Sequence, residues 1–150
     1  AIDTYIYTID KLNSEYDYSI EEFIVLLPTS PLRHISDIDG AIDLFFNKHA
    51  DSVMTYCAMN HPPEWAVKIN EDSSIANYFD YIVSGKNRQE FPTAYICNGS
   101  VYVFRYALLK NSYSYFSNKT YTYIMPPERS VDIDTELDFM FAEYLMKNNG

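Results

Sequence analysis

The sequence has few of the residues that build polyanion-binding surfaces. Its 150 residues include 4 glycines, and no glycine-rich stretch could form a phosphate-binding loop. Eleven lysines and arginines stand against 21 acidic residues, which gives a formal net charge of −10. Because nucleic-acid-binding surfaces are usually basic, this charge argues against nucleic acid as a partner. A polyanionic ligand would have to be held locally, by a few basic groups, backbone amides or a metal ion.

Cysteines and long hydrophobic runs are also scarce. Cys57 and Cys97 are the only cysteines, and both lie in apolar, strand-like stretches. We therefore expect buried free thiols rather than a disulfide, and a reducing compartment. No apolar run approaches membrane-spanning length, and no signal peptide is visible at Ala1. The sequence therefore predicts a soluble, cytoplasmic protein without a membrane partner.

Aromatic residues, in contrast, are abundant. The chain has 15 tyrosines and 9 phenylalanines, and 47% of its residues are hydrophobic. This much ring area has to be buried in a core, an interface or a pocket. The length fits one domain or part of a larger one.

Alternating helical and strand-like patterns predict an α/β fold. The apolar run at 23–27 is typical of an interior strand of a parallel sheet. Residues 36–39 resemble a capping box that opens a helix, whose apolar face is Ile38, Ile42, Phe45 and Phe46. The other expected elements are a helix from residue 2, strands at 52–58, 65–69 and 121–125, a hairpin turning at Asn98-Gly99, and a closing helix at 134–147.

The first candidate site is the PTSP loop, residues Pro28, Thr29, Ser30 and Pro31. It follows the apolar run at 23–27 and precedes Arg33. Its hydroxyls and amides could hold a polar ligand at the carboxyl end of a parallel strand, where open α/β sheets usually bind. The alternative is a β-to-α connection that the prolines make rigid.

The second candidate is the pair Asp132 and Asp134. In an extended segment, alternation places both carboxylates on one side. Two converging oxygen ligands suit Mg²⁺, which keeps its other positions for water and substrate phosphates. The alternative is that Asp134 is the N-cap of the closing helix and Asp132 is solvated. Both interpretations can hold together.

The remaining candidates lie in the middle of the chain. Lys68 and Arg88-Gln89 could contact an anion, although surface cations are usually only solvated charges. Three aromatic residues could line a pocket wall, although such residues more often pack a core: Tyr102, Tyr115 and Phe116. The three histidines are too scattered to suggest a metal site, and no nucleophile-and-base arrangement is visible.

Three ordered motifs resemble one known family. LLPTSPLR, RQEFPTAYICNGSVYVF and PPERSVDIDTELDF, within residues 26–139, resemble the acylneuraminate cytidylyltransferases, the CMP-sialic acid synthetase family. Members begin with a strand and a basic loop that cradles the CTP phosphates, and this chain lacks both. The resemblance implies the C-terminal two-thirds of one cytidylyltransferase domain. Its expected fold is a three-layer Rossmann-like sheet, incomplete at the N-terminus, with a protruding β-rich dimerisation arm at about residues 60–98.

The family reaction implies substrates and a metal. The anomeric hydroxyl of a nonulosonic or related sugar acid attacks the α-phosphate of CTP, which gives a CMP-sugar and pyrophosphate. By resemblance, Asp132 and Asp134 would hold Mg²⁺, and the PTSP loop would line the nucleotide and sugar cleft. A homodimer with composite sites follows from the same resemblance.

The resemblance also assigns the sugar contacts. Lys68 and Arg88, with its neighbour Gln89, would reach the partner subunit's site and meet the sugar carboxylate or phosphates. The residues expected to form the sugar pocket and its apolar wall for an acyl group are Asn98, Tyr102, Tyr115 and Phe116.

Two positions depart from the family pattern. Many members carry Gln at Leu27, so a polar contact to the ligand is lost. Sialic acid enzymes can carry Arg at Ile96, and the loss of this basic group beside the sugar indicates a changed acceptor of the legionaminic type. A competing hypothesis is an inactive, dimerising remnant of the family. The uncapped start at Ala1 favours the remnant, and the presence of both Asp132 and Asp134 argues against it.

Overall fold

Short runs rich in β-branched and aromatic residues form one mixed sheet. The computed structural model describes residues 1–75 and 87–148. Within these ranges the strands are β1 (Glu22–Leu26), β2 (Ser52–Ala58), β3 (Tyr95–Arg105) and β4 (Thr120–Ile124). Their order is β1-β3-β2-β4, with β1 antiparallel to β3 and β2 parallel to β4. The strands predicted at 52–58 and 121–125 are confirmed.

Helices cover both faces of the sheet. The helices are α1 (Ile2–Glu15), α2 (Ile35–Asn47), α3 (Tyr106–Ser112) and α4 (Glu136–Asn148). On one face, Phe45 of α2 packs in a buried cluster with Val53 and Val101. On the other face, Tyr5 of α1 contacts Phe104, with ring centroids 6.5 Å apart. Successive strand residues point to opposite faces of the sheet. With a helix packed on each face, the unit has the expected three layers of helix, sheet and helix. No helix of the described ranges is both long and apolar enough to cross a membrane.

The prediction that β1 belongs to a parallel sheet was wrong for its pairing with β3. β1 lies at the edge of the described sheet and pairs antiparallel with β3. Ile24 and Leu26 are 40% and 41% exposed, although the run is apolar throughout. An apolar run indicates that a strand is available for burial, but it does not specify which strand becomes its neighbour.

The predicted hairpin at Asn98-Gly99 was also wrong, because β3 continues through both residues. Gly99 has a φ of +70°, in the left-handed region that favours glycine. A positive-φ glycine inside a strand is typical of a β-bulge rather than a turn. A Cβ on Gly99 would lie 3.4 Å from both Asp132 Oδ2 and Leu27 Cδ1, so the chain comes close to two neighbours there.

Helix α2 begins slightly earlier than expected. Its N-cap is His34, which forms a capping box with Asp37, so the box predicted from Ser36 was misplaced. Phe45 is fully buried, but Phe46 is largely exposed and does not belong to the predicted apolar face. The closing helix, α4, is confirmed at residues close to those predicted.

The chain divides into two compact units. Residues 1–57 and 97–148 form the sheet unit, and residues 58–96 form the inserted unit. Within the inserted unit, Trp65 ends a 3-10 turn and contacts His61 and Phe91, with ring centroids 6.2 and 6.1 Å apart. The strand predicted at 65–69 was wrong, since no strand lies in 60–75 or 87–94. The β-rich character predicted for this region is therefore not found in its described part, and residues 76–86 lie outside it.

Candidate functional site

The PTSP loop is held from inside the sheet unit. Ser30 is fully buried, its amide donates to the Leu27 carbonyl at 3.3 Å, and its hydroxyl donates to the Asn98 carbonyl at 3.4 Å. The Thr29 carbonyl accepts from the Ile133 amide at 2.8 Å. The loop is therefore fixed on β3 and on the segment that carries the two aspartates, while Pro28 remains exposed.

Arg33 fixes the same loop from its other end. Its Nη1 donates to the carbonyls of Leu27, Ser30 and Ser100 at 2.6, 3.0 and 3.1 Å. Burial lowers the pKa of the Arg33 guanidinium from its ordinary value. This arginine therefore ties the loop to β3, which the sequence did not reveal.

The two predicted metal ligands have different environments. Asp132 lies beside Gly99, and its Oδ1 is buried without a hydrogen-bond partner within 1–75 and 87–148. Asp134 is exposed, and in the same ranges its carboxylate accepts no hydrogen bond. A buried carboxylate oxygen without a partner is costly unless a ligand or ion satisfies it.

The cap of α4 is Thr135, so the alternative reading of Asp134 as the N-cap was wrong. Thr135 Oγ1 accepts from the Asp138 amide at 3.3 Å, and Asp138 Oδ2 accepts from the Thr135 amide at 2.8 Å. Hydrogen bonds from the Thr135 hydroxyl and amide lower the pKa of Asp138. Capping is therefore complete without the Asp134 carboxylate, which leaves it available to a ligand.

Asn98 is a buried hydrogen-bond centre. Its side-chain oxygen accepts from the Thr55 hydroxyl at 2.6 Å and from the Ser100 amide at 3.2 Å. Its side-chain nitrogen donates to Ser130 Oγ at 2.9 Å and to Met125 Sδ at 3.4 Å. The residue is 5% exposed, so these contacts use the donors and acceptors that a sugar would need. Its expected place in the sugar pocket stays a prediction.

An ion pair joins the start of α2 to the acidic loop, residues 126–134. Arg129 Nε and Nη2 donate to Asp37 Oδ2 and Oδ1, both at 2.8 Å. The His34 amide also donates to Asp37 Oδ2 at 2.8 Å. Burial acts to raise the pKa of Asp37, but the bonds from Arg129 and His34 outweigh it and lower the pKa overall. Neither Asp37 nor Arg129 was a predicted site residue.

An aromatic cavity of about 300 Å³ opens in the sheet unit. The structure brings the three predicted aromatic residues together in its wall. Burial, and then the contact with Cys97 Sγ at 3.6 Å, raise the pKa of the Tyr102 hydroxyl, which therefore stays protonated. Cys97 is exposed, which corrects the prediction of two buried thiols, and both cysteines are free. The lining residues are Ala1, Tyr5, Leu27, Met54, Tyr56, Cys97, Tyr102, Phe104, Tyr115 and Phe116.

The predicted anion contacts lie in the inserted unit. Lys68, Arg88 and Gln89 are all exposed, and Arg88-Gln89 belong to a 3-10 turn at Arg88–Glu90. Arg88 lines a small cavity of about 170 Å³ together with His61 and other residues of this unit. Outside residues 76–86 and 149–150, no group of three or more His, Cys, Asp or Glu could hold a metal ion.

The relatives of this chain include one named for flagellin modification and others named for CMP-sugar synthesis. Post-translational flagellin modification protein B of Campylobacter coli is 30% identical over 132 residues, which cover 87% of this chain and 54% of that protein. An N-acylneuraminate cytidylyltransferase of Streptococcus agalactiae is 27% identical over 85% of this chain and 30% of its own length. A CMP-N,N'-diacetyllegionaminic acid synthase of Legionella pneumophila is 25% identical over 90% of this chain and 58% of its own length. The chain thus spans about half or less of the first relatives, and no family model matches it.

A solved structure supports the fold independently. A CMP:2-keto-3-deoxy-manno-octonic acid synthetase complexed with CTP aligns with a TM-score of 0.63 over 99% of this chain and 68% of that chain. Sequence identity in this alignment is 12%, so the likeness concerns the fold. The predicted α/β architecture of the sheet is confirmed.

Proposed function

We propose that this chain belongs to the acylneuraminate cytidylyltransferase family and carries the catalytic part of an enzyme that makes a CMP-sugar from CTP and a sugar acid. In this reaction the anomeric hydroxyl of the sugar acid attacks the α-phosphate of CTP, and pyrophosphate leaves. One observation carries the proposal: the buried, unpartnered Oδ1 of Asp132 lies on a segment that is bonded to the PTSP loop. A loop at the carboxyl end of a strand and a carboxylate are thereby held at one place.

The carboxylates of Asp132 and Asp134 are the proposed Mg²⁺ ligands. Two aspartate oxygens suit this ion, which usually keeps several waters and binds substrate phosphates in addition. The unpartnered Asp132 Oδ1 and the uncommitted Asp134 carboxylate both fit such a ligand set. When bound, Mg²⁺ would supply the positive charge that neutralises the triphosphate.

The chain's own residues would contribute mainly positioning. Arg33 and Ser30 hold the PTSP loop rigid through backbone carbonyls, so the loop can present a fixed surface to the nucleotide and sugar. Transfer of the cytidylyl group requires in-line alignment more than covalent help from the protein, and a rigid loop lowers the entropy cost of that alignment.

The aromatic cavity is the proposed site for the acyl substituent of the sugar. Tyr115 and Phe116 supply apolar surface, and the protonated hydroxyl of Tyr102 can donate a hydrogen bond. Leu27, which stands where many family members carry Gln, also lines the cavity. An apolar wall favours an acceptor of the legionaminic type over a more polar sialic acid.

The inserted unit is proposed to act across a homodimer in the cytoplasm. Exposed Lys68 and Arg88, with Gln89, could meet the sugar carboxylate or phosphates at the partner subunit's site. The two free cysteines support a reducing compartment.

Pyrophosphate release tests the proposal directly. The assay uses CTP, Mg²⁺ and a panel of sialic, legionaminic, pseudaminic and Kdo acids. It compares this chain with a version extended at its N-terminus by the segment that relatives carry. We expect release with one preferred sugar, lost by orders of magnitude in Asp132→Asn and Asp134→Ala but not in Asp43→Asn, an exposed carboxylate of α2. Folded dimers of both versions that release no pyrophosphate would instead support a non-catalytic relative.

A further inference from the structure

One charge-assisted contact holds the acidic loop against the start of α2, next to the PTSP loop. We propose that Asp37 and Arg129 are positioning residues of the cytidylyltransferase site, and that their ion pair sets the place of Asp132. This inference rests on the proposed function, because Asp132 is the residue that is positioned.

The geometry of the pair is well suited to fixing a loop. Arg129 donates two parallel hydrogen bonds to the Asp37 carboxylate, each 2.8 Å long, and such bidentate pairs restrict orientation as well as distance. Asp37 is fully buried, and its Oδ2 is shared with the His34 amide. Since His34 follows the PTSP loop by three residues, one carboxylate connects both loops of the proposed site.

Asp132 is held by few other contacts. Between Arg129 and Asp132, Ser130 Oγ donates to the Pro126 carbonyl at 2.8 Å and accepts from Asn98 at 2.9 Å. Beyond Asp132, the Ile133 amide donates to the Thr29 carbonyl. These contacts are neutral hydrogen bonds, which are about half as strong as charge-assisted ones.

Burial of the unpartnered Asp132 Oδ1 is unfavourable, and this favours movement of the acidic loop toward solvent. Without a metal or other partner, this oxygen gains hydrogen bonds by turning out into water. The ion pair between Asp37 and Arg129 opposes that movement from three residues away. Weakening the pair should therefore lower the affinity for the metal, because the ligand is no longer preorganised.

Three variants separate positioning from stability. Arg129→Lys keeps the charge but loses the parallel pair of bonds. The double variant Asp37→Leu with Arg129→Met leaves no unpaired buried charge, so its stability should fall only by the loss of the capping bond from the His34 amide. Arg105→Lys is the matched control, because Arg105 pairs with Glu22 at 2.8 Å and is 36% exposed, close to the 35% of Arg129.

The experiment uses whichever form releases pyrophosphate in the assay above. It measures the half-saturating Mg²⁺ concentration for turnover and, with CTP but no sugar acid, Mn²⁺ binding by water-proton relaxation. We expect Arg129→Lys and the double variant to weaken both by about tenfold, as other supporting residues of metal sites do. Arg105→Lys should change neither.

Two results have different meanings. If Arg129→Lys and the double variant lose thermal stability but keep the parent's metal dependence in both readouts, the pair is only structural and the inference is overturned. If the folded parent itself neither binds Mn²⁺ with CTP nor releases pyrophosphate, the proposed function is refuted. The inference is then refuted too, because it rests on that function.

Discussion

Replacing Asn98 by alanine tests whether this residue supports the site or contacts the sugar. The substitution removes four hydrogen bonds, to Thr55, Ser100, Ser130 and Met125. Since Asn98 is 5% exposed, water cannot easily replace them. We therefore expect the main effect of Asn98→Ala on stability.

The magnitude follows from what each partner retains. Ser130 keeps the Pro126 carbonyl as an acceptor at 2.8 Å, and Thr55 keeps the Val101 carbonyl at 3.2 Å. The remaining losses, at about 0.5–1.5 kcal/mol for each net hydrogen bond and more for a buried group left unpaired, amount to about 2–4 kcal/mol. For a chain of this size, the melting temperature should fall by roughly 5–15 °C.

Thermal unfolding and sugar kinetics together provide the assay. The control is Asn13→Ala, because Asn13 is half-buried and makes two hydrogen bonds, both to the backbone of Ile20. We expect this variant to lose about 1 kcal/mol of unfolding free energy. If Asn98→Ala leaves the melting temperature unchanged but raises the KM for the sugar acid, then Asn98 contacts the substrate and the reasoning is refuted.

Three further predictions concern the same part of the molecule. Gly99→Ala should lower the free energy of unfolding in urea by about 1–2 kcal/mol, because the φ of +70° is left-handed, and an unchanged midpoint would contradict this. In a Cys57→Ser background, a bulky maleimide on exposed Cys97 should fill the aromatic cavity and block pyrophosphate release, and full activity after complete labelling would show that the cavity is not used. Because the folded pKa of Asp37 is lowered, its contribution to stability is complete above the ordinary carboxyl pKa of about 4 and is lost as the pH falls through the lower folded value. Asp37→Asn should therefore flatten the acid side of a plot of unfolding free energy against pH, and an unaltered slope would count against the pairing with Arg129.

Local sequence patterns predicted the elements but not their arrangement. The strand at 52–58 and the helices α1 and α4 follow from hydrophobic periodicity, which depends only on neighbouring residues. The antiparallel pairing of β1 depends on β3, about 80 residues further along the chain. At Asn98-Gly99 the sequence indicated a turn, whereas the strand continues and Asn98 bonds to residues far along the chain, Thr55 and Ser130.

In the candidate site, too, residue types could be predicted from the sequence, whereas contacts between distant residues could not. The aspartates and the aromatic residues are visible as residue types in motifs, so they could be predicted. The ion pair of Asp37 and Arg129 joins residues 92 apart, and the sequence offered only a capping-box signal at Asp37. Arg33 likewise stood at the end of a quoted motif, yet its three carbonyl partners include Ser100 of β3. Contacts of this kind require the fold before they can be recognised.

The use of arginine in the sheet unit bears on how an acidic protein could handle CTP. All three arginines of this unit are engaged by the chain's own oxygens: Arg33 by carbonyls, Arg105 by Glu22, and Arg129 by Asp37. Each would lose these bonds by turning to a phosphate, so none is a ready anion contact. The sources that we propose for positive charge on a triphosphate are Mg²⁺ on Asp132 and Asp134 and the exposed Lys68 and Arg88. Arginine therefore builds the framework of the site, and supplying positive charge to the substrate is left, in our proposal, to the metal and to the exposed cations.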